Sequence, residues 1–267
     1  MKRRTSMKLS YSLVLFTSCY VFGQLGGPSI GLVPDAGSIR AMYGSAAAGA
    51  VGDWQDPGLA LSLIEVSPSQ DFVLATSAES GQVLLISRSA GVQPTPITGA
   101  AASPDRIAFS PNGTAAALWY AASNHIQVIS GLPNAAMVRD IDASYLAASP
   151  VSIAVSDDGA WVVGAWAQGA YAFGIDGQPV LLPTDGAPMA VAFFHARPDV
   201  ALITPNQVAM VTSLGQQSAS TVLWSNPNPS STAPAQVAVG FGVSSDNQRV
   251  SVTGNWGGVY TLSLIHI

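Results

Sequence analysis

Residues 107–130 read IAFSPNGTAAALWYAASNHIQVIS. Apolar and small residues alternate on both sides of Ser110-Pro111-Asn112-Gly113, and a second polar turn, Ala121 to Asn124, leads into another alternating run. A period of two marks strands, because successive side chains leave a strand on opposite faces. Pro presets φ, and Asn and Gly tolerate the positive φ that a tight turn requires. The stretch therefore predicts an antiparallel hairpin followed by a third strand.

The same grammar recurs. IEVSPSQDFVLAT (64–76), IAFSPNGTAAALW (107–119), IAVSDDGAWVVGA (153–165) and GVSSDNQRVSVTG (242–254) share it, and VAFFHARPDVALI (191–203) is a fainter copy. With the turn serines taken as Ser67, Ser110, Ser156 and Ser245, the first two intervals are 43 and 46 residues and the mean period is 44.5. A third strand candidate follows each hairpin (82–87, 125–130, 169–174, 207–212, 258–263), and then a weaker fourth run and a connector rich in Pro, Gly and Ala. Four short strands repeated every 40–50 residues are the signature of radially arranged blades. The expected fold class is all-β, a propeller of four-stranded antiparallel blades. Six blades are expected, or seven if the chain is truncated at its C-terminus. Residues 29–43 read as two outer strands ahead of the first full unit, and residues 44–60 as a long connector.

Ser110-Pro111-Asn112-Gly113 and Ser156-Asp157-Asp158-Gly159, with Ser67-Pro68-Ser69-Gln70 as a looser copy, resemble the inner-hairpin turns of bacterial TolB-like and YVTN-type (WD40-like) propeller repeats. The likeness spans most of residues 29–264 and implies architecture alone. The Gly-His and Trp-Asp pairs of eukaryotic WD40 repeats are absent.

Composition narrows the function classes. Of 267 residues, 10 are Lys or Arg and 15 are Asp or Glu, a net charge of −5, and charged residues make up 9% of the chain. No basic cluster exists beyond residue 8, so nucleic acid is not an expected partner. Residues 1–23 have a basic start and an apolar run from Tyr11 to Gly23, the layout of a removable signal peptide ending before Gln24. An uncleaved anchor is the alternative and the only expected link to a membrane. The expected organisation is thus a signal peptide over 1–23 and a single propeller domain over 24–267, exported to the periplasm or beyond and monomeric. The last five or six residues, within the run LSLIHI, read as non-native. Cys19 is the only cysteine, so the exported part has neither a disulfide nor a thiolate ligand.

In such a fold the inner-hairpin turns share one face. The turns between second and third strands share the other, together with the connectors between blades. That second face is expected to gather Trp54, Asn124, His125, Trp166, Gln168, Asn206, Gln207, Asn255 and Trp256. Asp53 and Asp56 join them from the long connector. Trp faces and amides with few charges suit a protein, peptide or glycan. Against this stands a purely structural role, since Asn, Gln and Gly form turns readily and Trp packs between blades. No catalytic set and no cofactor is evident, and His125, His195 and His266 are not at metal-ligand spacing. An enzyme of lactonase, lyase or glycosidase type would need polar groups at the central channel, for which Glu65, Asp105 and Arg106 are the nearest candidates. A structural module within a larger envelope assembly is a third reading.

Overall fold

The computed structural model describes residues 29–45, 48–88, 93–146, 148–215, 218–225, 238–254 and 259–263. The described residues form an all-β, propeller-like fold of six antiparallel sheets. The four complete sheets are β4(Leu61–Val66) to β7(Pro94–Pro96), β8(Arg106–Phe109) to β11(Met137–Asp142), β12(Ser152–Val155) to β15(Pro179–Leu181), and β16(Ala190–Phe193) to β19(Ala219–Ser225). Within each, the strands lie in chain order. The inner strands β4, β8, β12, β16 and β20(Ala238–Val243) lie side by side in sequence order.

The recurring serine has a specific duty. In each of four turns the residue at the serine position donates its N–H to the carbonyl five residues on: Ser67 to Phe72 (3.0 Å), Ser110 to Ala115 (2.8 Å), Ser156 to Trp161 (2.9 Å) and Ser244 to Arg249 (2.9 Å). The serine Oγ accepts the returning N–H of that same partner, at 3.4, 3.1, 2.9 and 2.9 Å respectively. One hydroxyl thus closes the strand ends that the turn would leave unpaired. The serine of the last hairpin is Ser244, not Ser245, because Ser244 makes these bonds. Three residues after each serine the backbone has positive φ, at Gln70 (61°), Gly113 (75°), Gly159 (69°) and Asn247 (57°). In the faint copy, Phe194 bonds Asp199 in the same way (3.0 Å) without a hydroxyl. There the positive φ moves forward to Ala196 (51°), because a residue before proline, here Arg197, is held in extended conformations.

The core is a series of inter-sheet layers. In β9(Ala115–Tyr120), Ala115, Ala117 and Trp119 face the sheet that follows, whereas Ala116, Leu118 and Tyr120 face the sheet that precedes. Both faces are covered, so AAALWY is buried throughout. β5(Phe72–Ser77) divides its side chains in the same way between two layers, as does β13(Val162–Trp166). Second strands therefore read as continuous apolar runs rather than as alternating ones.

The chain ends depart from expectation. Residues 29–55 form three strands, β1(Ser29–Asp35), β2(Ser38–Ser45) and β3(Ala48–Gln55), not two strands and a connector. The Leu32 N–H meets Gln70 Oε1 at 2.9 Å on the hairpin-turn face, and Gly37 O accepts the Leu61 N–H at 3.1 Å on the other. β1 therefore runs opposite to β4, as a second strand does, and this sheet holds the second to fourth strand positions. The last sheet, β20 with β21(Arg249–Gly254) and β22(Val259–Ser263), holds the first to third.

Candidate functional site

The second-to-third-strand turns do lie on one face, but they use the predicted residues unequally. Gln168 and Asn206 are exposed on turns, and their side chains have no partner among the described residues. Asn124 has φ 45° and its carbonyl accepts the Ala143 N–H at 3.0 Å, so it shapes its turn. Gln207 is half-buried and opens β18(Gln207–Thr212), its backbone closing a turn with Thr204. Trp54 lies in β3, its backbone paired with Arg40. Asn255, Trp256 and His266 lie outside the described residues, as do residues 1–23.

Trp166 is not on the face at all. Its ring is fully buried between two sheets, within 6.3 Å of the Trp119 ring, 5.9 Å of Tyr171 and 6.1 Å of Phe173, all edge-on. Its Nε1–H donates to Ala148 O at 2.7 Å. This is the packing role, and a ligand cannot reach the ring.

His125 opens β10(His125–Ser130) and takes part in a network that joins two blades. Its Nε2 lies 2.8 Å from Asp140 Oδ1, which also accepts the Gln127 amide at 2.8 Å. Gln127 Oε1 in turn accepts the Ala101 N–H (2.8 Å) and the Tyr120 hydroxyl (3.0 Å). The amide of Gln127, and then His125, hold the Asp140 carboxyl below the usual carboxylate range. Burial, reinforced by the Asp140 charge, pushes the Tyr120 phenol up. These groups satisfy one another and link the Gly99–Ala101 connector to the next blade.

A cavity of about 370 Å³ opens on the same face. Its walls are the start of β4 (Ser62, Leu63), the end of β5 (Thr76, Ser77), the turn Ala78–Gly81, and Ser103 to Asp105 ahead of β8. The turn and the connector are held together where Ser103 N–H donates to Gly81 O at 2.8 Å. Gly81 has φ 71°, a conformation that favours glycine, and a β-carbon there would press on the Ser103 side chain and backbone. Asp105 Oδ2 accepts the Ala121 N–H at 2.6 Å, tying the cavity wall to the turn that carries Asn124 and His125. No residue of this cavity other than Asp105 was singled out in the sequence. Its hydroxyls come from separate segments, and no short motif announces them.

The opposite face carries a second cluster that the sequence reading missed. Asp157 accepts the Asn112 N–H (2.7 Å), the Asn112 side-chain amide (2.9 Å) and the Ala196 N–H (2.7 Å). His195 Nδ1 meets Asn112 Oδ1 at 2.9 Å, and Asn247 exchanges two hydrogen bonds with the His195 backbone, at 2.7 and 2.8 Å. Four hairpin turns are thereby fastened to one another. The sequence signal was weak: each residue lies in a repeated hairpin turn, but at a different position, one to three residues after the turn's first residue.

The groups expected to serve a channel enzyme are mostly engaged in structure. Arg106 Nη1 donates to Pro150 O (3.2 Å) and Val151 O (3.0 Å), and Asp105 holds Ala121. Glu65, on an inner strand, has no hydrogen-bond partner among the described residues, and desolvation raises its pKa although the side chain reaches solvent. Among the described residues no three His, Cys, Asp or Glu side chains come together as a metal site would require.

The fold and this face define a propeller-like all-β protein with a polar surface cavity. Comparison with protein-family models gives no match, and comparison with curated proteins gives none either.

Proposed function

We propose that the chain is an exported binding module that recognises a protein, peptide or glycan through the face carrying the second-to-third-strand turns. The observation that carries this reading is the placement of the cavity. It opens on the face where Gln168 and Asn206 project without partners among the described residues, whereas Asn112, Asp157, His195 and Asn247 on the opposite face are bonded to one another. Loops held by a rigid scaffold are where binding concentrates. The repeat turns resemble TolB-like and YVTN-type propellers, and the N-terminal segment resembles an export signal, in keeping with a partner outside the cytoplasm.

Glycan and peptide arrays probed with the purified chain test the reading. A variant altered at His125, Gln168 and Asn206 to Ala should lose its array signal, while Gln248→Ala, on the opposite face, should keep it. Retention by the first and loss by the second would reverse the face assignment.

Glu65 is the one observation that favours the alternative, a propeller enzyme acting at the channel. Its raised proton affinity and free carboxyl suit a general acid. Hydrolysis of lactone or glycoside substrates that is abolished in Glu65→Gln would establish that reading in place of simple binding.

A further inference from the structure

We propose that the cavity between the second and third sheets binds a neutral polyol, one or two saccharide units in size. The inference rests on the reading that this face is the binding face, and it names the chemistry of the ligand.

The cavity wall holds hydrogen-bonding groups that no neighbour among the described residues satisfies. Ser62 Oγ and Thr76 Oγ1 lie 2.5 Å apart, and Thr76 Oγ1 also accepts the Leu63 N–H at 3.0 Å, so this pair is internally satisfied. Ser77 Oγ accepts the Ser80 N–H (3.2 Å) and Ser80 Oγ accepts the Gln82 N–H (3.3 Å), which leaves both hydroxyl protons free to donate into the cavity. Ser103 Oγ and the Glu79 carboxylate make no hydrogen bond among the described residues, and one oxygen of Asp105 is still open. The wall thus offers both donors and acceptors: two hydroxyl protons, one hydroxyl of both kinds, and carboxylate oxygens that only accept.

A ligand must answer both. An ammonium or guanidinium group supplies donors alone and leaves the Ser77 and Ser80 protons without acceptors. A phosphate or carboxylate supplies acceptors alone and meets Glu79 and Asp105 with like charge. A sugar hydroxyl donates and accepts at once, and neighbouring hydroxyls on a ring present both roles at close spacing. Leu63 and Pro104 add a small apolar wall for a ring face. The volume lies at the lower end of the range of small-molecule sites, about 300–1,000 Å³.

Saturation-transfer NMR on the purified chain tests the proposal. The probes are maltose, cellobiose and N,N′-diacetylchitobiose, with lysine methyl ester and inorganic phosphate as cationic and anionic arms. Transfer to at least one disaccharide is expected, weakened about tenfold or more in Kd by Glu79→Ala combined with Ser103→Ala, two exposed positions outside the core. Transfer confined to lysine methyl ester or phosphate would overturn the polyol assignment. So would saccharide binding that the double variant leaves unchanged, or no transfer to any probe. A peptide captured on the arrays and lost in the His125/Gln168/Asn206 variant would then show that the face reading survives without the polyol. No ligand on that face would remove both.

Discussion

Asn112 Oδ1 and His195 Nδ1 face each other at 2.9 Å although 83 residues and one whole sheet separate them in the chain. Asn112 directs its amide nitrogen to Asp157 Oδ2 at 2.9 Å, so one side chain connects three hairpin turns. Asn112 Oδ1 can only accept, so Nδ1 of His195 is the donor in this contact.

The clasp makes Asp157 a keystone of the hairpin face. Asp157→Ala removes the acceptor for three N–H donors, two of them backbone, and should cost about 1–3 kcal/mol. At about 2–4 °C per kcal/mol for a domain of this size, calorimetry should record a fall of several degrees. Asp246→Ala, in the hairpin turn two sheets further on, interrupts only bonds local to that turn and should cost less.

The two buried tryptophans should respond differently to the same substitution. Trp166 donates from Nε1 to Ala148 O, whereas Trp119 Nε1 is buried without a partner among the described residues. Both Trp→Phe changes give up similar volume, but Trp119→Phe also removes an unpaired donor. Denaturant titration should find Trp166→Phe the more destabilising by about 1–3 kcal/mol. Trp166→Ala should cost about 3–5 kcal/mol through the cavity it leaves.

Gly164 faces the Trp166 ring, and a β-carbon there would overlap ring carbons. Its φ is not positive, so the constraint is one of space alone. Gly164→Ala should cost about 1–3 kcal/mol or more as the ring is displaced, with a shift in tryptophan fluorescence. An equal change at Gly177, with nothing near its β-position but a φ of 70°, should leave the fluorescence unaltered.

Acid should loosen the joint between the second and third sheets. The Asp140 carboxyl is held below its ordinary value by Gln127 and His125. Its contribution is therefore complete above the ordinary carboxylate pKa and is lost as pH falls through the lowered folded value. In Asp140→Asn this acid-side loss should shrink. Melting temperature followed downward from about pH 5 should fall more steeply for the wild type than for the variant. The Asp140 side chain is largely solvent-exposed, so the effect should be small and reduced by salt.

The hairpins were legible because apolar runs flank a tight polar turn on both sides, and because a serine hydroxyl closes four of the five turns. The strand β3 was not. AGAVGDWQ is rich in Gly and carries an acid, and it looks like a connector until β2 pairs with it. The serine of the last turn was misplaced by one because Ser244 and Ser245 are equivalent by residue type, and only hydrogen bonding separates them. The candidate face was legible as a face, since turn positions repeat with the blades. Which side chains point outward was not legible. Trp166 ends a strand covered on both sides, and nothing in VVGAW distinguishes a ring directed into the core from one directed to solvent. The cavity was invisible because its wall is assembled from residues 62–63, 76–81 and 103–105, of which Asp105 alone carries a residue type that draws notice by its place.

The convergence of the hairpin turns on one face, opposite the candidate binding face, can be tested by paired cysteines, because the chain beyond residue 19 has none. Asn112→Cys with His195→Cys should be joined by a short bismaleimide in nearly every molecule, and Asn112→Cys with Gln168→Cys should not. Efficient linkage of the second pair and failure of the first would contradict the account.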